Sequence, residues 1–128
     1  MSIKSEEFLT SVESMVGNQK SLEIDLRNAV SRAYYSAYHA CRSEVGVVNK
    51  YKDMGAHACL IKTMGEHRNE KIRSLGLQLE KCKKKRHKAD YLLEQSVLPG
   101  EAEQVLIQCK LICEAIVRRQ SSGLAIVK

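Results

Sequence analysis

Apolar residues recur along this chain at steps of three and four, the repeat of one helix face, and nowhere alternate as they would in a strand. Phe8, Val12 and Met15 form the first set, with Ser5, Glu6 and Glu7 as cap and acidic first turn and Gly17 and Asn18 as the stop. A longer helix is predicted from Ser21 to Val45, where Ala29, Ala33, Ala37 and Ala40 make a small-residue face that lets a neighbour approach closely. Gly46 to Gly55 reads as a loop. Ala56 to Glu66 predicts a short helix with Leu60, Ile61 and Met64 inward, and His67, Arg68 and Asn69 join it to a helix from Glu70 to Glu94. Leu98, Pro99 and Gly100 then form the clearest breaker in the chain. The last helix is expected from Glu101 to Arg119, on a stripe of Ala102, Val105, Cys109, Ile112 and Ile116. Ser121 to Lys128 follows a Ser-Ser-Gly break and reads as a loose tail or a segment that docks on a partner. The expected fold is therefore all-α: an up-and-down bundle of four main helices with one short extra helix, in a single domain over residues 1–120.

Composition agrees with that picture and narrows the chemistry. With 128 residues, 44% hydrophobic and 28% charged, and a single proline, the chain suits one globular domain with long elements. The N-terminus has no signal-peptide succession and no run approaches a membrane span, so a cytoplasmic protein with no membrane partner is expected. The five cysteines lack C-x-x-C spacing and are expected to be reduced and mostly buried. Cys109 and Cys113, and likewise His57 and Cys59, lie on apolar or mixed helix faces and read as core packing, so no metal is expected. There is no Gly-rich phosphate loop, nucleophile elbow or carboxylate pair, and no cofactor is implied.

Charge is distributed unevenly. Six of the 21 Lys and Arg lie between Lys81 and Lys88 with no acid among them, and the other 15 balance the 15 acids. The net charge of +6 thus comes from about two helical turns. Within that run Arg86 is the odd residue, because Ile72, Leu75, Leu79, Cys82, Arg86, Ala89 and Leu93 share one stripe and Arg86 takes a slot meant for an apolar side chain. A buried guanidinium must find a carboxylate, a backbone acceptor, a partner subunit or a ligand, since leaving it unpaired costs several kcal/mol. Lys83, Lys84, Lys85 and Lys88 fall mostly off the stripe, as solvated lysines do. On the 21–45 helix, Asn28, Arg32, Tyr35, His39 and Arg42 also share a face. It reads either as an ordinary solvated side or as a surface for phosphate and base contacts, with Arg32, Tyr35 and His39 joining the four lysines.

The segment R-N-A-V-S-R-A-Y-Y-S-A-Y-H-A (27–40) resembles the S-R-A-Y-Y-A-A-F-H-A signature of HEPN domains, small helical proteins of bacteria and archaea. K-K-R-H-K-A-D-Y (84–91) resembles the R-x-K-A-D-Y segment of the same family, and G-A-H-A-C-L-I (55–61) stands where the family has a comparable stretch, so the likeness covers about residues 21 to 116. The resemblance implies a bundle of four or five helices that commonly forms a homodimer, with arginine segments of two subunits around a shared cleft. Many HEPN proteins are metal-independent ribonucleases and toxins encoded beside a nucleotidyltransferase-like antitoxin; others only bind nucleotides, RNA or protein. The family's ribonuclease motif is Arg, a polar residue, three to five further positions, then His. Arg86 and His87 match its start, but Tyr91, Leu92 and Leu93 fill the positions where the closing histidine would stand.

By that resemblance the candidate catalytic residues are Arg86, His87 and Tyr91, with Arg86 as the cation for developing phosphorane charge and His87 as the available base. Tyr91 is a poor base at neutral pH, and by analogy with family toxins it is also a candidate for nucleotidyl modification. A structural reading stands beside this one: Asp90, four residues after Arg86, can pair with it, and Arg32 reaching Asp90 from the other helix would make a buried polar lock. The expectation is an RNA- or nucleotide-binding protein of a toxin-antitoxin or defence system, with an incomplete ribonuclease motif. An active ribonuclease and a non-catalytic subunit for a nucleotidyltransferase-like partner are the alternatives.

Overall fold

A computed structural model describes residues 23–46, 51 and 53–127, with side chains as far as Ser121. Four helices lie in this range: α1, Glu23–Val45; α2, Ala56–Gly65; α3, Glu70–Tyr91; and α4, Pro99–Val127. The helix expected between Ser5 and Gly17 lies outside the described residues. The chain is all-helical over the described residues, as expected, and forms a bundle in which α1 packs mainly on α4 and α3, and the short α2 packs on α3.

The core follows the stripes read from the sequence. Ala29, Ala33, Ala37 and Ala40 are all buried on α1, and Ala102, Val105, Cys109, Ile112 and Ile116 are all buried on α4. All five cysteines are buried and free, and burial pushes the Cys41 thiol up to about 12. Gly46 ends α1 with a φ of 95°, which glycine adopts without a Cβ penalty, and its N–H donates to Arg42 O at 2.7 Å. Asn69 starts α3, its side-chain oxygen accepting from the N–H groups of Lys71 and Ile72. Among the described residues no helix is long and apolar enough to cross a membrane.

Three boundaries differ from expectation, each for a physical reason. Pro99 opens α4 instead of preceding it, because proline's missing N–H is no loss in the first helical turn. The Ser-Ser-Gly sequence does not stop α4, which continues to Val127 in place of a loose tail. Ser and Gly lower helix propensity by less than about 1 kcal/mol each, too little to break a helix already formed. At its C-terminus α3 stops at Tyr91, three residues short of Glu94, and Leu93 is left exposed.

The end of α3 is set by Arg27, a residue that no sequence pattern marked. Arg27 is only 6% exposed, and its guanidinium donates to the carbonyls of Lys88 (3.1 Å), Ala89 (3.0 Å), Leu92 (3.4 Å), Leu93 (3.4 Å) and Gln95. Glu23, one turn earlier on α1, pairs with the same guanidinium at 2.9 Å and also accepts the Val97 N–H at 3.0 Å. One buried cation thus takes the carbonyls that a further turn of α3 would use and folds the 92–98 connection back onto α1. Arg27→Met, which keeps the bulk and removes the donors, is expected to cost about 2–4 kcal/mol in urea unfolding.

Helices α2 and α3 approach closely at Gly76, where a Cβ would stand 2.8 Å from Met64 Cβ on α2. Alanine there gains helix propensity but must push the two helices apart, so Gly76→Ala is expected to destabilise by about 1–2 kcal/mol net. Gly65→Ala, where a Cβ meets nothing within 4 Å, should be neutral or stabilising in the same assay.

Candidate anion-binding site

The register of α3 divides the basic run into three groups. Arg86 points inward and is 8% exposed, as its place on the stripe requires. Lys85 and Lys88 turn toward α4, where both bond Glu101, at 2.9 Å and 3.0 Å. Burial raises the Glu101 carboxyl, but the two lysines outweigh it and hold the group below its usual value. Lys83, Lys84 and His87 turn the other way, toward α2; Lys84 lies 3.8 Å from Glu80, and Lys83 has no ion pair among the described residues.

Arg86 is held by aromatic rings more than by acceptors. Its guanidinium carbon lies 5.2 Å from the ring centre of Tyr34, 5.6 Å from Tyr35 and 5.8 Å from Tyr91, all within cation–π range. Among the described residues the one carboxylate paired with it is Asp90, 3.6 Å from Nη1, and its Nε is buried with no hydrogen-bond partner. The contrast with Arg27 is direct: both of its terminal nitrogens donate to carbonyl oxygens or to Glu23, whereas Arg86 keeps a buried Nε without a partner among the described residues.

The polar lock expected between Arg32 and Asp90 is not formed. Asp90 accepts from Ser31 Oγ at 3.2 Å and faces Arg86, while Arg32 is exposed. Ser31 and Arg27 lie four apart on the face of α1 that meets α3, and Arg32 stands about 100° further round, toward solvent. Asn28, His39 and Arg42 are exposed with it, so that face is the solvated side of α1, and only Tyr35, half-buried, turns in to join Arg86. Of the residues singled out from the sequence, Arg86, His87, Tyr91, Tyr35, Lys83 and Lys84 are gathered on one side of the bundle. Arg32 and His39 sit on the outer face of α1, and Lys85 and Lys88 are committed to Glu101. The rings of His87 and Tyr91 lie 5.0 Å apart, and Tyr91 is 62% exposed.

His57 is the residue of this site that the sequence did not single out for it. Its ring stacks on Tyr38 with centres 4.0 Å apart, and its Nδ1 lies 2.7 Å from the Tyr34 hydroxyl. Burial pushes the Tyr34 phenol well up, so Tyr34 stays the donor and the His57 proton sits on Nε2. Burial first, and then the charges of Arg86, Lys83 and His39, hold His57 below its usual value of 6.5. It is therefore a neutral hydrogen-bond donor at neutral pH rather than a free base. The only sequence signal for it was its place within 55–61, because no local pattern shows which ring a helix from elsewhere will offer.

Beside Arg86, α2 and α3 leave a groove of about 710 Å³, lined by Ala58, Ile61, Lys62, Gly65 and Glu66 on α2 and by Gly76, Leu77, Glu80, Lys83, Lys84, Arg86 and His87 on α3. Among the described residues no group of three or more His, Cys, Asp or Glu is placed to hold a metal ion. What the site offers is fixed cationic donors and an exposed imidazole, which suits an anion. No family model matches this chain, and no curated protein or solved structure matches it either.

Because the unfolded chain protonates His57 at a higher pH than the folded chain does, stability should fall as pH drops below 6.5 toward the lowered folded value. His57→Gln is expected to flatten that limb of a urea-unfolding series between pH 7 and about pH 5, with the slope of the parent chain as reference.

Proposed function

We propose that this chain is a HEPN-like protein that binds RNA or nucleotides through their phosphates, within a toxin-antitoxin or defence system, with Arg86 as the central phosphate ligand. The observation that carries the reading is a nine-tenths buried guanidinium with an unpartnered Nε, beside Lys83 and His87 at the edge of a groove. Packing alone would place an aliphatic side chain there, and a cation kept with free donors is explained by a ligand that completes it. Support for the family reading comes from the packing of the two segments that carry the resemblance: Arg27 and Ser31 of the first hold Lys88, Ala89 and Asp90 of the second. In the same proposal the protein acts as a cytoplasmic homodimer beside a nucleotidyltransferase-like antitoxin. Tyr91, exposed next to His87, is accessible for modification.

A second reading, metal-independent RNA cleavage, is favoured by one observation only. His87 is exposed on the groove that Arg86 also lines, so an imidazole stands beside a phosphate-binding cation.

Fluorescence anisotropy with a single-stranded RNA oligonucleotide separates these readings. Binding without cutting is expected in chelator, with a slope of log affinity on log salt of about −1.4, as two cations near single-stranded phosphates would give. Arg86→Gln should weaken binding about tenfold or more, while Lys85→Ala, already tied to Glu101, should change it less than about twofold. Salt-independent binding, or equal losses from both substitutions, would remove Arg86 from the phosphate role. Cleavage that disappears in His87→Ala would establish the second reading instead.

A further inference from the structure

The α2/α3 groove is poorly matched to a nucleic-acid strand along most of its length. A single strand is held by a basic track with aromatic platforms, and here the floor is Ala58, Ile61, Gly65, Gly76 and Leu77; among the described residues the one ring in the lining is His87, at the cationic end. Its size lies within the range of small-molecule sites, which combine an apolar lining with a few placed polar groups. Leu77 is 65% exposed at its mouth, an apolar side chain left at the surface where the groove opens. The lining spans residues 58–66 on α2 and 76–87 on α3, about 12 Å and about 16 Å at the helical rise, so the groove is elongated.

Its charges are placed at one end. Lys62 lies 3.9 Å from Glu66 and Lys84 lies 3.8 Å from Glu80, so these four residues largely offset one another. That leaves Lys83 and Arg86: among the described residues Lys83 has no ion pair, and Arg86 has Asp90 3.6 Å from Nη1 and no partner at Nε. His87 stands beside them. Two cations with free donors suit a dianionic phosphate better than a single carboxylate, because each charge-assisted bond then has its own oxygen. An aliphatic floor without rings suits an alkyl or acyl chain better than a planar base.

We propose that the groove between α2 and α3 is a binding site for a single-chain alkyl phosphate in monomeric form, its chain along Ile61 and Leu77 and its phosphate bonded by Arg86 and Lys83. The site shares Arg86 with the RNA reading but does not rest on it, since the apolar floor and the free donors are present whether or not RNA binds. Occupancy by the alkyl phosphate would withdraw Arg86 from any other phosphate.

The test is calorimetric titration of the full chain with decyl phosphate below its micelle concentration. Saturable binding of one molecule per chain is expected. Decyl maltoside, with the same chain and no charge, and inorganic phosphate, with the charge and no chain, should each bind at least tenfold more weakly. Leu77→Asn removes apolar surface at a 65% exposed position without adding charge; it should weaken decyl phosphate at least tenfold and change single-stranded RNA affinity less than about twofold. Arg86→Gln should weaken decyl phosphate by a similar factor. The proposal is overturned if decyl phosphate binds no more tightly than inorganic phosphate, if Leu77→Asn has no effect, or if binding occurs only to phosphatidylglycerol vesicles. Loss of RNA binding with decyl phosphate binding intact would sink the RNA reading alone.

Discussion

A guanidinium does not give up its proton at any ordinary pH, so one buried in a protein must be met with acceptors or cost several kcal/mol. Two buried arginines impose that condition on this bundle, and they meet it in opposite ways. Arg27 is surrounded by carbonyl oxygens from the end of α3 and the connection after it, with Glu23 adding the countercharge. Through those bonds α3 ends where it does, and the 92–98 connection lies against α1. Arg86 is surrounded by rings, whose faces offer attraction to a cation but no lone pair for its N–H groups. The first arrangement is complete in itself, and the second leaves donors available.

Charge in this protein is decided by helical register more than by composition. Six basic residues in about two turns look like one positive patch when read in line, yet the helix sends them in three directions. Lys81, Lys85 and Lys88 lie toward α4, where the one carboxylate of Glu101 pairs with the last two, and Glu80 stands against Lys84. On the side that faces α2 the field comes mainly from Arg86 and Lys83, one buried and one half-buried, where screening by salt is weaker than on an open surface.

The aromatic cluster links that field to the rest of the bundle. Tyr34 touches Arg86 with its ring and His57 with its hydroxyl, so a single α1 residue joins α2 to α3. Tyr38 stacks on the His57 ring, with centres 4.0 Å apart. A ring buried on this scale brings a large apolar area and one polar atom that needs a partner, and His57 supplies it. The cost is a histidine kept neutral, which ties this corner of the fold to pH.

The helices, the faces they bury and the anomaly at Arg86 were legible in the sequence, because each follows from spacing within one segment. A step of three or four positions determines which side of a helix a residue occupies, whatever packs there later. The partners of those residues were not legible. Arg27 was marked by no pattern, since its acceptors are backbone carbonyls more than 60 positions away, and carbonyls leave no mark on composition. Arg32 was expected in the place that Ser31 takes, because one position in sequence is 100° around α1 and only the docking of α3 sets which of the two meets Asp90. Pro99 and Ser121 to Gly123 were read as breaks because local propensity disfavours helix there, and a penalty of that size yields to the surrounding helix. The groove and its cation pair belong to the tertiary structure alone: they exist where α2 and α3 meet at Gly76, and no single segment contains both walls.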